Sequence, residues 1–542
     1  MRLIILLSIL LSTLYSNQLD DRLKQILVNQ PHQVSHIETE RTQIVQLYQK
    51  NHNKPLWIGH ARNLNTLVAA LQDPYFNYKY KDIHQSQIEQ YTHLLHDNMD
   101  LNNNSEELTK LDILLTRAYI KLITFIVQGD INWDMVQMKI MGLKEAEDIS
   151  ANWEMVRKSL PSTEKLFSAI TNQDIKGFLL SLVPVKAQYQ ELISTLDFYQ
   201  NLNNLERIKY AKDLKLGDQY QYVADIKKRL ILTGDLHNKY NTTDIFDEEL
   251  KQALYSYKDR FKLEQNGIID KIVVYYLNKP MHLLSEKIIV NLDKLKVFPN
   301  HYPHEYIRIN IPDFKMNYYK DNQSILEMRA VVGKPERPTP IFSANMSYIV
   351  LNPNWNIPEN LVRRDLIVAL QENPNYLEEH NIRVFYGWKT KGEMKTFKPS
   401  MLFPYADISK GHIPYRFVQY PGDDNALGRI KFMFPNKYSV YLHDTDNKSL
   451  FQYRYRVYSS GCMRLEKPFE LLEVLKSRIK QRDINIIPKY RDILKNKTIN
   501  FTKKLPVHTT YFTVFKRNGL TYFRKDIYKY DKFIKESEIK NF

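Results

Sequence analysis

Residues 440–464 of the chain read VYLHDTDNKSLFQYRYRVYSSGCMR, and this stretch decides how the whole sequence is interpreted. It contains Cys462, the only cysteine in 542 residues, and His443 lies nineteen positions before it. Apolar and polar side chains alternate from Tyr438 to Leu442, and this alternation predicts a strand that ends at His443. We therefore expect the imidazole at the end of a strand, within reach of a thiol.

A turn and a helix are predicted around the cysteine. Ser459, Ser460 and Gly461 form a turn-prone run just before Cys462, and residues 467–481 carry apolar side chains at helical spacing. A thiol at the mouth of a tight turn, with an imidazole nearby, is the minimum set of groups for nucleophilic acyl transfer. The N–H groups of Gly461 and Cys462 are the predicted donors to an oxyanion. The alternative is a buried structural cysteine and an unrelated histidine.

The sequence around these residues resembles a known family. HDT at 443–445, followed by SSGCMR at 459–464, is similar to the HxxxxxxxxxSxGCxR signature of L,D-transpeptidases with a YkuD-type catalytic domain. The segment PGDDNALGRIKFMFPN, residues 421–436, resembles that family's approach to the histidine strand. The resemblance implies a large multidomain L,D-transpeptidase, with Cys462, His443 and Gly461 expected in catalysis and Arg464, Ser460, Tyr441 and Tyr511 expected in substrate binding.

The resemblance also implies a reaction. The substrates would be peptidoglycan stem peptides, a donor tetrapeptide and an acceptor amine, joined in a 3→3 cross-link through a thioester on Cys462. Two alternatives stay open: an L,D-carboxypeptidase that hydrolyses the same tetrapeptides, and a non-catalytic peptidoglycan-binding envelope protein. Carbapenem β-lactams are implied as inhibitors. We expect no cofactor, and a single cysteine excludes any multi-cysteine zinc site.

Asp444 follows His443 directly and would complete a catalytic triad in the simplest interpretation. Successive side chains of a strand point to opposite faces, so we expect Asp444 to point away from the imidazole. The resemblance implies that a backbone carbonyl orients the histidine instead.

The start of the chain predicts export. Residues 1–16 carry Arg2 and then a mostly apolar run, which is typical of a secretory signal. The run is shorter than the ~20 apolar residues of a membrane span, so we expect a signal peptide or a short membrane anchor. Cysteines of exported proteins usually form disulfides, which makes an unpaired one a candidate reactive thiol. The predicted location is the periplasm or cell envelope.

Positive charge is concentrated in the second half of the chain. The net charge is +16, and residues 301–542 carry 41 Lys and Arg against 25 Asp and Glu, whereas the first 300 residues carry 36 of each. A basic catalytic end suits an anionic polymer or an acidic peptide. Nucleic acid is the general alternative for such charge, but the predicted export argues against it. A solvated basic face with no specific partner is the remaining alternative.

The predicted fold class is multidomain α+β. Helical periodicity dominates the first two hundred residues, including 107–127 and 174–202, and β-type alternation dominates the end. An aromatic and basic stretch without strong periodicity is typical of a functional or mobile loop. The predicted divisions are a signal or anchor at 1–16, a helical scaffold at 17–217, a three-helix peptidoglycan-binding-like domain at 218–282, a linker at 283–305, and a β-rich YkuD-type catalytic domain at 306–535 with a lid insertion at about 373–421.

Two of these divisions carry further expectations. Residues 218–282 resemble a three-helix peptidoglycan-binding domain, but Asp270 lacks the glycine that usually follows it, so a structural spacer is the alternative. Residues 505–514 and 521–528 flank Asn518-Gly519 and predict a hairpin. By resemblance, this strand pair would complete the catalytic sheet.

Overall fold

The protein is described from a computed structural model over residues 35–97, 105–143, 151–202, 205–237, 242–387, 392–540 and 542. The predicted signal segment, residues 1–16, lies outside the described residues. The chain is helical up to residue 295 and mostly β from residue 305 onward. This arrangement confirms the predicted multidomain α+β class, with a helical N-terminal region and a β-rich C-terminal one.

Twelve helices are described in the first part of the chain. They are α1 Ser35–Lys50, α2 Ala61–Gln72, α3 Gln85–Asp97, α4 Ser105–Val127, α5 Trp133–Met141, α6 Thr163–Thr171, α7 Ile175–Leu182, α8 Lys186–Asn201, α9 Tyr222–Leu232, α10 Glu248–Arg260, α11 Lys271–Leu277 and α12 Met281–Leu295.

The helix predicted at 174–202 is divided into α7 and α8. Pro184 has no N–H to donate, and Val185 has a φ of 43°, in the left-handed region. These two residues end one helix and redirect the chain before the next.

Helices α9, α10 and α11 correspond to the predicted three-helix unit at 218–282. Asp247 caps α10 by accepting from the Leu250 N–H at 2.9 Å, and Asp270 caps α11 by accepting from the Val273 N–H at 2.8 Å. Such caps satisfy N–H groups that have no partner within the helix. Asp270, which lacks the glycine that usually follows it, therefore has a clear structural task.

The predicted linker at 283–305 contains helix α12, which is buried and not an extended connector. The Asn291 side chain donates to the Thr513 hydroxyl at 2.8 Å, and the Tyr78 hydroxyl donates to the Asp293 carboxylate at 2.6 Å. One helix thus contacts both the scaffold and the C-terminal region. The segment predicted as a linker therefore contains a packed helix that is held by these hydrogen bonds.

The strands form the second half of the fold. They are β1 Glu305–Asn310, β2 Lys315–Lys320, β3 Gln323–Gly333, β4 Ser343–Leu351, β5 Trp355–Asn356, β6 Ile382–Tyr386, β7 Tyr415–Gln419, β8 Ile430–Met433, β9 Leu442–His443, β10 Val457–Ser459, β11 Met463–Leu465, β12 Lys497–Thr510, β13 Val514–Arg517 and β14 Leu520–Phe523.

Nine of these strands form one sheet in the order β10-β3-β11-β9-β8-β4-β12-β1-β2. An additional pairing of β2 with β3 closes the sheet on itself. Closure leaves few free edges and fixes the position of each strand relative to its neighbours. The short central strands β8, β9 and β11 are therefore held firmly on both sides.

The predicted C-terminal hairpin has different partners from those expected. The strand before the turn is β13, not 505–514, and it pairs with β14 around Asn518-Gly519 as a separate two-stranded sheet. Phe523 of β14 stacks on Phe261 with ring centroids 5.2 Å apart. The hairpin therefore covers the three-helix unit, and β12 alone joins the large sheet.

The predicted lid at about 373–421 belongs to a folded unit that begins earlier, and residues 355–419 are called the lid subdomain below. It contains helices α13 Glu359–Leu361, α14 Ile367–Glu372 and α15 Tyr376–Glu379, a π-helical turn Val362–Leu366, and a sheet in the order β5-β7-β6. It has its own apolar core, which includes Leu366, Leu402 and Phe417. A sequence without clear periodicity here nevertheless forms a packed unit.

The helix predicted at 467–481 is shorter in the structure. It comprises α16 Pro468–Leu475 and a 3₁₀ turn at Lys476–Arg478, after which Ile479 makes an isolated bridge with Phe501. The remaining helices are α17 Gln481–Ile484, α18 Ile487–Asp492 and α19 Tyr530–Lys535. No helix in the described part of the chain is long and apolar enough to cross a membrane.

Candidate active site

Three neighbouring strands, β8, β9 and β11, carry the candidate site. Strand β9 is parallel to β11, with His443 beside Arg464, and antiparallel to β8, with His443 beside Lys431. Side chains paired across neighbouring strands point to the same face of a sheet. His443, Arg464 and Lys431 therefore share one face, and Leu442 and Met463 belong to the core on the other.

Cys462 reaches this face from the turn before β11. The Met463 N–H donates to the Tyr441 carbonyl at 3.1 Å, so the thiol lies level with the residues that lead into β9. Cys462 stands two positions before Arg464, and the two-residue period of a strand gives both side chains the same direction. Gly461 has a φ of 110°, which favours glycine and allows the predicted sharp bend.

The approach to His443 differs from the prediction. Only Leu442 of the strand predicted at 438–442 is in a strand, because Ser439 has a φ of 54°. The Asn436 carboxamide supports this bend by accepting from the Tyr438 N–H at 3.0 Å and donating to the Val440 carbonyl at 2.8 Å. The backbone at 438–440 thus bonds to the Asn436 side chain, and not to a neighbouring strand as the alternation predicted.

Tyr441 lies within the site, as expected. Its ring meets the His443 imidazole edge-on, with centroids 5.6 Å apart. Its hydroxyl and backbone N–H both lie close enough to the Cys462 thiol to interact with it. Tyr441 therefore contacts both proposed catalytic side chains and limits the space around the sulfur.

His443 is buried and uncharged. Burial, together with the charge of Arg464, lowers the pKa of its imidazole to about 3, against the effect of the Asp444 backbone. Its Nδ1 atom is buried without a hydrogen-bond partner in the described part of the protein. A neutral imidazole with a free nitrogen is a competent proton acceptor.

Asp444 points away from the imidazole, as predicted from the period of the strand. Its carboxylate accepts from the Arg429 N–H at 2.9 Å and pairs with Lys448. Gly428 approaches so closely that a Cβ there would lie 2.5 Å from the Asp444 carboxylate. Asp444 therefore secures the turn before β8 and is not a third catalytic member.

The thiol is also neutral at rest. Burial raises the pKa of Cys462 to about 11, and the Tyr441 backbone and the Arg464 charge offset only part of this rise. At pH 7 a thiol of this pKa is ionised in roughly one molecule in 10⁴. The cysteine and histidine therefore form an uncharged pair, and ionisation has to accompany the attack on a substrate.

Arg464 has unused hydrogen-bonding capacity on the site face. One Nη atom donates to the Thr445 hydroxyl at 3.3 Å, and the Nε atom is buried without a partner among the described residues. Burial lowers the pKa of Arg464, while the charges of Asp446 and Cys462 raise it. Arg464 thus braces the loop after β9 and still presents a donor.

The turn before the cysteine is held by side chains and by a neighbouring loop. The Gly461 N–H donates to the Ser459 hydroxyl at 3.3 Å, and the Gly461 carbonyl accepts from the Thr339 hydroxyl at 2.9 Å. Ser460 is exposed, and its hydroxyl accepts from Arg337 at 2.9 Å. The Gly461 N–H, one of the two predicted oxyanion donors, is therefore occupied in this state.

Tyr511 was expected to bind substrate, but it lies outside the site. Its ring is fully buried against Tyr528 and Tyr530, and its hydroxyl donates to Asp526 at 2.8 Å. His508 is also remote from the thiol: it belongs to β12, two strands beyond β8, and its Nδ1 contacts the Ser343 hydroxyl at 2.7 Å. Both residues support the packing of β12.

Two residues of the site were missed by the sequence interpretation. Lys431 lies on β8, beside His443 of β9. Arg337 donates to the Ser460 hydroxyl at 2.9 Å and to the carboxylate of Asp365, a residue of the lid subdomain, at 3.2 Å. The alternation Ile430-Lys431-Phe432 is a signal that Lys431 faces away from the core. No local signal identifies Arg337, because its partners are distant in the sequence.

No cluster of metal-ligating side chains accompanies this geometry. Within the described ranges, no group of three or more His, Cys, Asp or Glu residues is arranged to hold a metal ion. The functional groups that the site does present are a thiol, an imidazole and two cationic side chains.

Comparisons with known proteins agree with the site. Residues 304–488 match the family model of the YkuD L,D-transpeptidase catalytic domain, and residues 42–196 match a scaffold-domain model. A Haemophilus influenzae protein, named provisionally as an L,D-transpeptidase, is 34% identical over 258 residues, or 47% of this chain. The aligned part spans half the length of that relative.

Two solved structures were also matched. An L,D-transpeptidase from Xylanimonas cellulosilytica is 10% identical, with 56% of this chain and 98% of that chain covered and a TM-score of 0.18. The avibactam carbamoyl enzyme of Ldtfm is 13% identical, with 59% and 98% covered and the same TM-score of 0.18. Scores this low support no structural argument, so the family matches carry the assignment. The chain is thus a multidomain protein that carries an L,D-transpeptidase catalytic domain of the YkuD type together with a scaffold domain.

Proposed function

We propose that the protein is a cysteine-dependent L,D-transpeptidase of the cell envelope that forms 3→3 cross-links between peptidoglycan stem peptides. One observation carries the proposal: the strand register brings Cys462 and the buried, unpartnered Nδ1 of His443 to the same face. A nucleophile beside a neutral base is the arrangement that acyl transfer requires. The family match and the basic charge of residues 301–542 support an anionic peptide substrate.

In the first half of the proposed reaction, Cys462 is acylated. The thiol proton moves to His443 Nδ1 while the sulfur attacks the carbonyl carbon of the third residue of a donor tetrapeptide. The resulting oxyanion is stabilised by backbone N–H groups of the turn, and the Gly461 N–H must leave the Ser459 hydroxyl to contribute. Collapse of this intermediate breaks the peptide bond, and the proton on His443 goes to the departing D-alanine amine.

In the second half, an acceptor side-chain amine replaces the Cys462 sulfur on the acyl carbon. The amine attacks the thioester carbonyl and loses a proton to His443. The C–S bond then breaks, and the returned proton regenerates the Cys462 thiol. Water in place of the amine would give the carboxypeptidase reaction, so the two activities differ only in the group that attacks the thioester.

We assign Arg464 to a carboxylate of the substrate and Tyr441 to the wall of the pocket beside the sulfur. The buried Nε of Arg464 lacks a partner among the described residues, and a guanidinium binds carboxylates well because its donors are fixed in a plane. Ser460 is exposed at the mouth of the site, and there it would contact the donor peptide.

The lid subdomain is proposed to close over the donor peptide. Arg337 joins its residue Asp365 to Ser460 in the turn before Cys462, and the Arg337 side chain is only 17% exposed. A cation held between the two parts gives the lid a defined resting position. Occupation of the site would change the Ser460 contact and hence the position of the lid.

Replacement of Cys462 by Ala is expected to abolish cross-linking of purified tetrapeptide muropeptides. Because the residue is small and half-buried, the melting temperature should change little. The measurement is separation and mass analysis of the products, with dimers and released D-alanine counted separately. Ser477→Ala, at an exposed position outside the site, is the matched control and should keep the activity of the parent. Dimers formed by Cys462→Ala would contradict the assignment, and monomer hydrolysis by the parent would favour the carboxypeptidase.

Acylation of Cys462 by a carbapenem is expected to be nearly independent of pH between about 5 and 9. The pKa of His443 is lowered to about 3 and that of Cys462 is raised to about 11, so neither group titrates in this range. His443→Ala should slow the reaction at pH 7 by roughly 10²–10⁴-fold. The remaining rate should rise about tenfold per pH unit, since only the thiolate then reacts.

Stopped-flow rates across this pH range test both statements about His443. His508→Ala is the control, because His508 lies on β12 and should leave the profile unchanged. A bell-shaped profile centred near neutral pH in the parent would contradict the proposal that Cys462 and His443 are uncharged at rest. An unchanged rate in His443→Ala would contradict the role of His443 as the base.

Acylation is also expected to protect the lid subdomain from hydrogen exchange. Amides of residues 355–387 and 392–419 should exchange more slowly after carbapenem treatment, whereas those of β12 should not change. Cys462→Ala, which cannot be acylated, is the control and should show no protection. Equal exchange rates in the free and acylated parent would contradict the proposal that the lid subdomain closes over the site.

A further inference from the structure

Lys431 is a cation on the site face that has no anionic partner. It lies on β8 directly beside His443, and its side chain is partly buried. Its Nζ atom is 5.4 Å from the centroid of the Tyr441 ring. Within the described residues, no carboxylate lies within ion-pair distance of this ammonium group. An ammonium group withdrawn from water without a counter-charge is unfavourable, so its position requires an explanation.

The other cations near the site have an anionic or polar partner. Lys448 pairs with Asp444, and Arg464 donates to Thr445. Lys431, by contrast, has neither a hydrogen-bond nor an ion-pair partner for its ammonium group among the described residues.

The groups that face Lys431 come from three strands. His443 of β9 and Tyr441 just before that strand face it from one side, Arg464 of β11 and Cys462 in the preceding turn lie beyond them, and the apolar Val350 pairs with it on β4. Of these groups, Cys462 is the one that acquires negative charge during acyl transfer. Burial lowers the pKa of Lys431, and ionisation of the Cys462 sulfur opposes this fall.

We propose that Lys431 supplies the positive charge that stabilises the Cys462 sulfur as His443 removes its proton. The S–H bond breaks, the proton goes to His443 Nδ1, and the electron pair stays on sulfur, on the same face of the sheet as the ammonium group. Lys431 stays protonated and forms no covalent bond. The inference rests on the proposed role of Cys462 as nucleophile and names a residue that favours its ionised form.

A purely structural role is the competing explanation for Lys431. Its aliphatic stem and ammonium group pack on the Tyr441 ring, and cation–π contacts of this kind contribute about 0.5–2 kcal/mol. Packing of this kind would affect the melting temperature. It would not change the fraction of Cys462 that is ionised at a given pH, so the two explanations are separable.

The test is alkylation of the full chain by iodoacetamide, followed by intact-mass analysis between about pH 7 and 9.5. Cys462 is the only cysteine, so every adduct of the thiol reports this one residue. Below its pKa, the alkylation rate is proportional to the thiolate fraction. We expect Lys431→Met to react about tenfold more slowly at each pH, which corresponds to a rise of about one unit in the pKa of Cys462.

Three further variants make the result decisive. Lys431→Arg keeps the charge and should react within about twofold of the parent. Lys431→Gln repeats the neutral substitution with a polar side chain, in case Met disturbs the fold. Lys437→Met removes an exposed lysine that pairs with Glu154 and should leave the rate unchanged.

Equal alkylation rates in the parent and in both neutral variants would overturn the proposal. So would an equal loss in Lys431→Arg, because charge would then not be the cause. Alkylation requires no peptide substrate, so failure to cross-link muropeptides with an intact alkylation pattern would reject the proposed function and leave this inference standing.

Discussion

The register between β9 and β11 is the constraint on which the rest of the site depends. It sets His443 beside Arg464 and brings Cys462 to the same face, while Leu442 and Met463 enter the core. A slip of one residue would exchange these two faces. Strand β9 has only two residues, so its register is fixed by its neighbours and by the closure of the sheet through β2 and β3.

Burial of the site gives it an unusual electrostatic balance. Three cationic side chains, Arg464, Lys431 and Lys448, lower the pKa of His443 in addition to the effect of burial. The pKa of Cys462 stays high because burial outweighs the charges of Arg464 and Lys431. The resting pair is therefore uncharged and resistant to unwanted oxidation, since oxidants attack the thiolate. Under the proposed mechanism, this positive charge stabilises the sulfur only when it ionises.

Much of the site was predictable, because motif spacing and strand period are local properties. Cys462, His443 and the outward direction of Asp444 followed from these two signals. The strand predicted at 438–442 failed because the Asn436 side chain stabilises a left-handed Ser439, and alternation does not report such a contact. Tyr511 was misassigned because the strand pattern does not reveal which face another layer covers.

The larger errors in the fold arose from long-range partners. Helix α12 lies in the predicted linker, and the partners of its polar residues Asn291 and Asp293, which are Thr513 and Tyr78, lie more than two hundred residues away. The lid subdomain looked irregular because its core is assembled from separate short elements. Burial of polar residues through distant hydrogen bonds cannot be inferred from periodicity.

The central claim is that a peptide becomes bound to Cys462 as a thioester. The most direct measurement is rapid acid quench and mass analysis of the protein after mixing with a donor tetrapeptide and no acceptor amine. The account predicts an adduct with the mass of the acyl tripeptide on Cys462, accompanied by one D-alanine per adduct and absent from Cys462→Ala. Release of D-alanine without a protein-bound intermediate, or an adduct that persists in Cys462→Ala, would contradict it.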